Sequence, residues 1–230
     1  MIELAVAALA FVGFHLVPSS PLRGWAVKRF GEPVYLLAFS VISTVTLVWL
    51  VIAFYDVPRG AQLWYPGPIW VWVQAILLLF AFALIAGGLG RPNPSSVGQG
   101  KAVQRVDVSK GIFAVTRHPV MWGIGIWGVT HIISQPSLRA LLFFGALIVV
   151  ALLGSWMQEQ RKAREFGEAW ARWRAKTSFW PFAAIIAGRN ELNLRAIGYH
   201  LLVAAVLLWL GFLHGHAWLF GVNVLPYLGF

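Results

Sequence analysis

The chain has 230 residues, of which 59% are hydrophobic and only 11% charged, where soluble domains are about 45–50% apolar and about a quarter charged. A water-soluble domain of this length cannot hide so much apolar surface, so the composition excludes the soluble classes and points to the lipid bilayer as the chain's main partner. The formal charge of +10 needs no nucleic-acid partner, because a membrane protein retains Lys and Arg on one face.

Six apolar runs read as membrane spans: Ile2–Val17, Pro33–Tyr55, Ile69–Gly90, Pro119–Ser134, Leu138–Met157 and Ala196–Leu213. The first has Glu3 as its only charge, no basic leader and no small-residue cleavage site before Pro18, so it reads as a retained span rather than a signal peptide. Basic residues test this layout. The Val17–Pro33 connection holds Arg23, Lys28 and Arg29. The Arg91–His118 connection holds Arg91, Lys101, Arg105, Lys110 and Arg117, and the Gln158–Arg195 connection carries eight more. Only Arg59 and Arg139 fall in the other two connections. Six spans put the three rich connections on one side, which the positive-inside rule makes cytoplasmic, with both termini outside.

The Arg91–Lys110 stretch, with Pro92, Asn93 and Pro94, reads as a loop. Glu159–Lys176 reads as a helix, with Phe166, Trp170 and Trp173 on one face and charges on the other. It fits an amphipathic helix lying in the interface, as a surface anchor or as part of a ligand site. Thr177–Arg189, with Phe179, Trp180, Pro181 and Phe182, reads as an interfacial or re-entrant turn. The expected fold is therefore all-α and integral to the membrane, with six transmembrane helices plus an interfacial amphipathic helix in the fifth connection, as a single domain over residues 1–230.

With no cysteine in the chain, disulfides, thiolate metal sites, Cys nucleophiles and covalent c-type haem attachment are all excluded. The chemical signal is six histidines: His15, His118, His131, His200, His214 and His216. An ionisable group within a membrane is a functional candidate, although a lone His also serves to bond a neighbouring helix. Depth sorts them into two layers. His15, His118 and His200 lie toward the cytoplasmic face. His131, roughly 19 Å beyond His118 along a helix axis, joins His214 and His216 near the outer face, where the last span ends. Gly128, one turn from His131, leaves room for a flat cofactor or for a close helix crossing.

An ordered set of motifs then becomes familiar. Gly13-Phe14-His15, Arg29, Gly31-Glu32 and Tyr35 stand near the start, and Gln62-Leu63-Trp64 follows the second span. Gly111-Ile112-Phe113-Ala114-Val115-Thr116-Arg117-His118-Pro119 leads to Met121, Gly123, Trp127 and His131, and Thr177-Ser178 with Pro181-Phe182 comes later. The set resembles the NnrU family and the related 15-cis-zeta-carotene isomerases over nearly the whole chain. The resemblance implies a multi-pass protein of the bacterial inner (cytoplasmic) membrane that binds haem b. It implies either cis–trans isomerisation of the 15-cis double bond of a carotenoid, an apolar small-molecule substrate, or a role linked to nitrite and nitric oxide reduction in denitrification. It supplies His15 and His131 as metal ligands, and Arg117 and His118 fall in its most specific segment as cofactor-binding candidates. Two departures stand beside it. The plant isomerase has a Cys where this chain has Gly128, and the depth reading would instead pair His15 with His118 or His200, and His131 with His214 or His216.

Two other readings stay open. Gly111 to His118-Pro119, Glu159 and the Phe166–Trp173 helix are also similar to isoprenylcysteine carboxyl methyltransferases. In that case S-adenosylmethionine would be the cofactor, contacted by Arg117, His118 and Glu159. A non-catalytic assembly or electron-transfer factor with a redox partner is the third.

Overall fold

A computed structural model describes residues 1–96, 98–104 and 109–229. Val97 and residues 105–108, within the expected Arg91–Lys110 loop and including Arg105 of the charge pattern, lie outside the described residues, as does Phe230.

The described residues are helical and contain no strand. In chain order the helices are α1 (Ile2–Leu16), α2 (Pro21–Phe30), α3 (Glu32–Asp56), α4 (Trp70–Leu89), α5 (Ile112–Val115), α6 (Pro119–Ser134), α7 (Leu138–Ile148), α8 (Gly154–Lys176), α9 (Ala183–Ile186), α10 (Leu194–Ile197) and α11 (Tyr199–Phe220). Five helical stretches are long and apolar enough to cross a membrane: Ile2–Ser19, Glu32–Asp56, Trp70–Leu89, Leu138–Lys176 and Tyr199–Phe220. Helix α6 begins and ends where the fourth apolar run does, but its 16 residues reach only about 24 Å, short of a hydrocarbon core of about 30 Å.

Local chemistry sets several ends. Ser20 accepts a hydrogen bond from the Leu22 N–H with Pro21 as the first residue of α2. Ser137 caps α7 by accepting from the Ala140 N–H, and Asn193 caps α10 by accepting from Ala196. Two expected boundaries are corrected. The helix of the fifth run does not stop at Met157: α7 leads through a π-helical segment, Val149–Leu153, into α8, which ends at Lys176. α11 runs past Leu213 to Phe220, because neither His214 nor Gly215 breaks it. It ends where Gly221 takes φ +70°, a conformation that glycine adopts freely.

The chain divides into two compact units. Unit 1 comprises residues 1–65 and 131–161. Within it α1 packs against α3 and α7, burying Leu4, Ala7, Ala8 and Phe11 against a core that includes Leu50, Ala53, Phe54, Phe143 and Phe144. The chain after α3 is tied down by the Leu63 N–H donating to the Pro136 carbonyl (2.7 Å) and by Trp64 Nε1 donating to Ile133 (3.2 Å). Arg139 lies over the Phe54 ring at 4.6 Å and donates to the Val57 carbonyl at 2.7 Å.

Unit 2 comprises residues 66–130 and 162–230. Its α4 lies along α11 and crosses α6 at glycines. A Cβ on Gly88 would stand 2.8 Å from Pro119 and Val120, and one on Gly123 would stand 2.6 Å from Ile85 and 2.9 Å from the Ala81 carbonyl oxygen. Such backbone contact is what small residues provide between membrane helices. Its core contains Leu84, Val103, Ile112, Phe113, Val115, Trp170, Trp173 and Ile197. The aromatic stripe of the Glu159–Lys176 segment thus faces protein: Trp170 is 0% and Trp173 3% exposed. α8 reaches that core by bending at Gly167, which has φ +50° and ψ −122°. By contrast, Ala205 is the buried residue of α11, whose other apolar side chains are exposed in whole or in part. That helix face needs lipid.

Candidate functional site

His15 occupies the last turn of α1 in unit 1. Its Nδ1 lies 2.8 Å from the Phe11 carbonyl oxygen. A carbonyl only accepts, so Nδ1 carries the hydrogen and Nε2 presents its lone pair. This is the arrangement in which a backbone carbonyl orients a metal-ligating imidazole and raises its basicity. Aromatic rings surround it: Phe11 at 4.1 Å and Phe39 edge-on at 5.9 Å, with Phe14 stacked on Phe39 at 5.7 Å. Phe39 also stacks on Tyr35 at 6.2 Å, one turn back along α3. Tyr35 in turn lies beneath the Arg23 guanidinium at 5.7 Å, and Arg23 pairs with Glu32 at 2.9 Å.

His131, in the last turn of α6, also belongs to unit 1, with its ring 5.1 Å from Phe144. Phe144 packs with Phe143 and Phe54. The residue facing Leu16, next to His15, is Gly154, whose Cβ position is 3.7 Å from that side chain. Phe144 and Gly154 are ten residues apart, about 15 Å along the helix. The two imidazoles therefore have separate surroundings at two levels of unit 1. Among the described residues no group of three or more His, Asp or Glu side chains converges to hold a metal ion. A haem needs no such group, since the protein supplies its axial ligands.

Arg117 and His118 sit in unit 2 and are 5% and 1% exposed. Arg117 stitches two segments together. Its N–H donates to the Ser178 carbonyl (2.8 Å), its guanidinium donates to the Thr177 carbonyl (2.9 Å), and its own carbonyl accepts from the Ser95 hydroxyl (2.8 Å). The Thr116 hydroxyl and the Trp122 indole both donate to the Phe179 carbonyl, at 2.7 and 2.8 Å. Arg189 donates to the carbonyls of Arg174, Ala175 and Thr177, satisfying acceptors that the end of α8 leaves open. The His118 ring lies 5.4 Å from Phe179. So the two most specific sequence segments, Thr116-Arg117-His118-Pro119 and Thr177–Phe182, fold onto each other. The latter is a folded-back turn with Phe182 at φ +65°.

Sequence reasoning missed two features. Lys162, 2% exposed, turns inward, donates to the carbonyls of Pro94 and Ser96, and lies 5.7 Å from the Trp170 ring. Tyr35 is 8% exposed with a buried hydroxyl. Tyr35 lay within a quoted motif, but its neighbours come from elements far apart in sequence.

Described residues that are helical, five helices able to cross a membrane and a candidate ligand histidine among aromatic rings define a multi-pass membrane protein. The NnrU protein family model matches residues 3–224, and the chain belongs to that family. It is similar to the chloroplastic 15-cis-zeta-carotene isomerase of Zea mays, with 32% identity over 200 residues that cover 81% of this chain and 52% of the relative. It is also similar to the Arabidopsis thaliana isomerase, with 31% identity over 206 residues covering 83% and 52%. The chain spans about half the length of these relatives. No solved structure matches it.

Proposed function

We propose that this chain is a haem b-dependent carotenoid cis–trans isomerase working within the bilayer, with His15 as a ligand of the haem iron. The observation that carries the reading is the Nδ1–H bond from His15 to Phe11, which aims Nε2 as a ligand. The family resemblance adds His131, whose ring stands at the other level of unit 1 beside Phe144. Similarity to two 15-cis-zeta-carotene isomerases supports the substrate class. When bound, the haem would supply electron donation to the polyene and lower the barrier to rotation about a double bond. The chain's own part is to hold the imidazole of His15 in one tautomer and to keep water away with Phe11, Phe14 and Phe39.

The same proposal has both units form one functional domain with six spans, α6 being the short one. The basic connections face the cytoplasm, and the second half of α8 lies at that interface with its aromatic face in the protein. The methyltransferase reading is less supported, because the Arg117 guanidinium is buried and bonded to the Thr177 carbonyl. Incubation of the reduced, detergent-purified protein with 9,15,9'-tri-cis-zeta-carotene tests the reading. Loss of the 15-cis isomer is expected. An unchanged pigment would overturn the isomerase and leave a haem-bearing protein to the denitrification or electron-transfer roles.

A further inference from the structure

Arg139 stands out among the charged groups of unit 1. It is the second residue of the Leu138–Lys176 stretch, where the chain enters the membrane. A cation at the end of a span ordinarily extends its head into water. Arg139 folds inward instead. Its Nη1 donates to the Val57 carbonyl at 2.7 Å, and its Cζ lies 4.6 Å from the centre of the Phe54 ring. Phe54 is in turn packed on Phe143, ring to ring at 4.5 Å. The guanidinium plane is thus held in place by two neutral partners.

The opposite edge of that plane is unused. Nε is buried and has no hydrogen-bond partner, and Nη2 beside it bonds to none of the described residues. Buried donors normally find an acceptor. Arg139 also takes part in no ion pair among the described residues. Asp56 and Arg59, on either side of Val57 in the chain, are exposed, opposite in charge and likewise in no ion pair. The Nε–H and the neighbouring Nη2–H point the same way, in the fork that takes two oxygens of one anion. At the level where a span begins, the abundant anion is the phosphodiester of the lipid headgroups.

We propose that the Nε–Nη2 edge of Arg139 is a seat for a phosphate group, that of a membrane phospholipid. The seat adjoins the aromatic wall of His131, because Phe54 also meets Phe144 at 5.9 Å and Phe144 meets the imidazole at 5.1 Å. It stands or falls independently of haem.

The test uses the intact chain in detergent, with wild type beside Arg139→Lys, which keeps the charge without the fork, and Arg139→Gln. The probes are dioleoylphosphatidylglycerol, the matching diacylglycerol without phosphate, and inorganic phosphate. Native mass spectrometry reads lipid retention. Loss of a charge-assisted hydrogen bond predicts about tenfold weaker retention of phosphatidylglycerol by both variants, with no difference for diacylglycerol. On wild type alone, phosphatidylglycerol should slow the labelling of Arg139 by phenylglyoxal, followed by peptide mass spectrometry, and diacylglycerol should not. If inorganic phosphate protects Arg139 as well as the lipid does, the seat stands for free phosphate and the lipid is overturned as its occupant. Equal retention of phosphatidylglycerol by wild type and variants, or labelling of Arg139 that none of the probes slows, overturns the seat. So does a loss of stability in the variants that is the same with either lipid, which is what a purely structural brace on Val57 would show.

Discussion

The backbone N–H of Arg117 donates to the carbonyl of Ser178 at 2.8 Å, across 61 positions of the chain. This bond joins the two most distinctive segments of the sequence, and the Arg117 guanidinium repeats the link one residue earlier, at Thr177. The arrangement makes Arg117 a brace. Replacing it with Met should destabilise the protein by about 1–2 kcal/mol, since the Thr177 carbonyl loses one charged donor and keeps the one from Arg189. Thermal unfolding followed by Trp fluorescence in detergent would register this. Any cofactor spectrum of the protein that remains folded should be unchanged. A wild-type melting profile with an altered spectrum would instead make Arg117 a cofactor contact.

Gly123 marks the crossing of α6 and α4. An added methyl group would meet the Ala81 carbonyl oxygen at 2.9 Å, and a backbone oxygen cannot rotate away. Gly123→Ala should cost about 1–3 kcal/mol through overpacking. The denaturant midpoint of the purified protein measures it, and a neutral substitution would mean that the helices separate easily here.

Gly167 and Gly145 form a matched pair. A Cβ at either meets nothing within 4 Å, but Gly167 has φ +50°, whereas Gly145 lies inside α7. Gly167→Ala should therefore lose about 1–3 kcal/mol from backbone strain alone. Gly145→Ala should gain roughly 0.4–1 kcal/mol by restricting the unfolded chain. The same unfolding measurement on both variants separates backbone conformation from packing.

Much of the fold was legible because apolar runs of span length announce helices. The expected runs fall on α1, α3, α4 and α6 within a few residues, and the fifth starts with α7 at Leu138; Phe166, Trp170 and Trp173 do pack on one core, although the helix bends between them at Gly167. What covers that stripe was not legible: Phe113 packs on Trp173 from 60 positions away, so an amphipathic pattern that suits lipid equally suits a protein core. The π-helical segment has no composition signature, and its apolar residues simply continue the run. His15 was visible as a candidate ligand, but its tautomer is set by the Phe11 carbonyl 2.8 Å from Nδ1. Tyr35 lay inside a recognised motif, yet its contact with Arg23 is set by the packing of α2 against α3.

The central claim is that His15 ligates a haem. The absorption spectrum of the detergent-purified protein, wild type beside His15→Ala, tests it most directly. A Soret band is expected in wild type and its loss in His15→Ala, while the variant remains folded. A colourless wild type that binds S-adenosylmethionine, or a Soret band unchanged by His15→Ala, would contradict it.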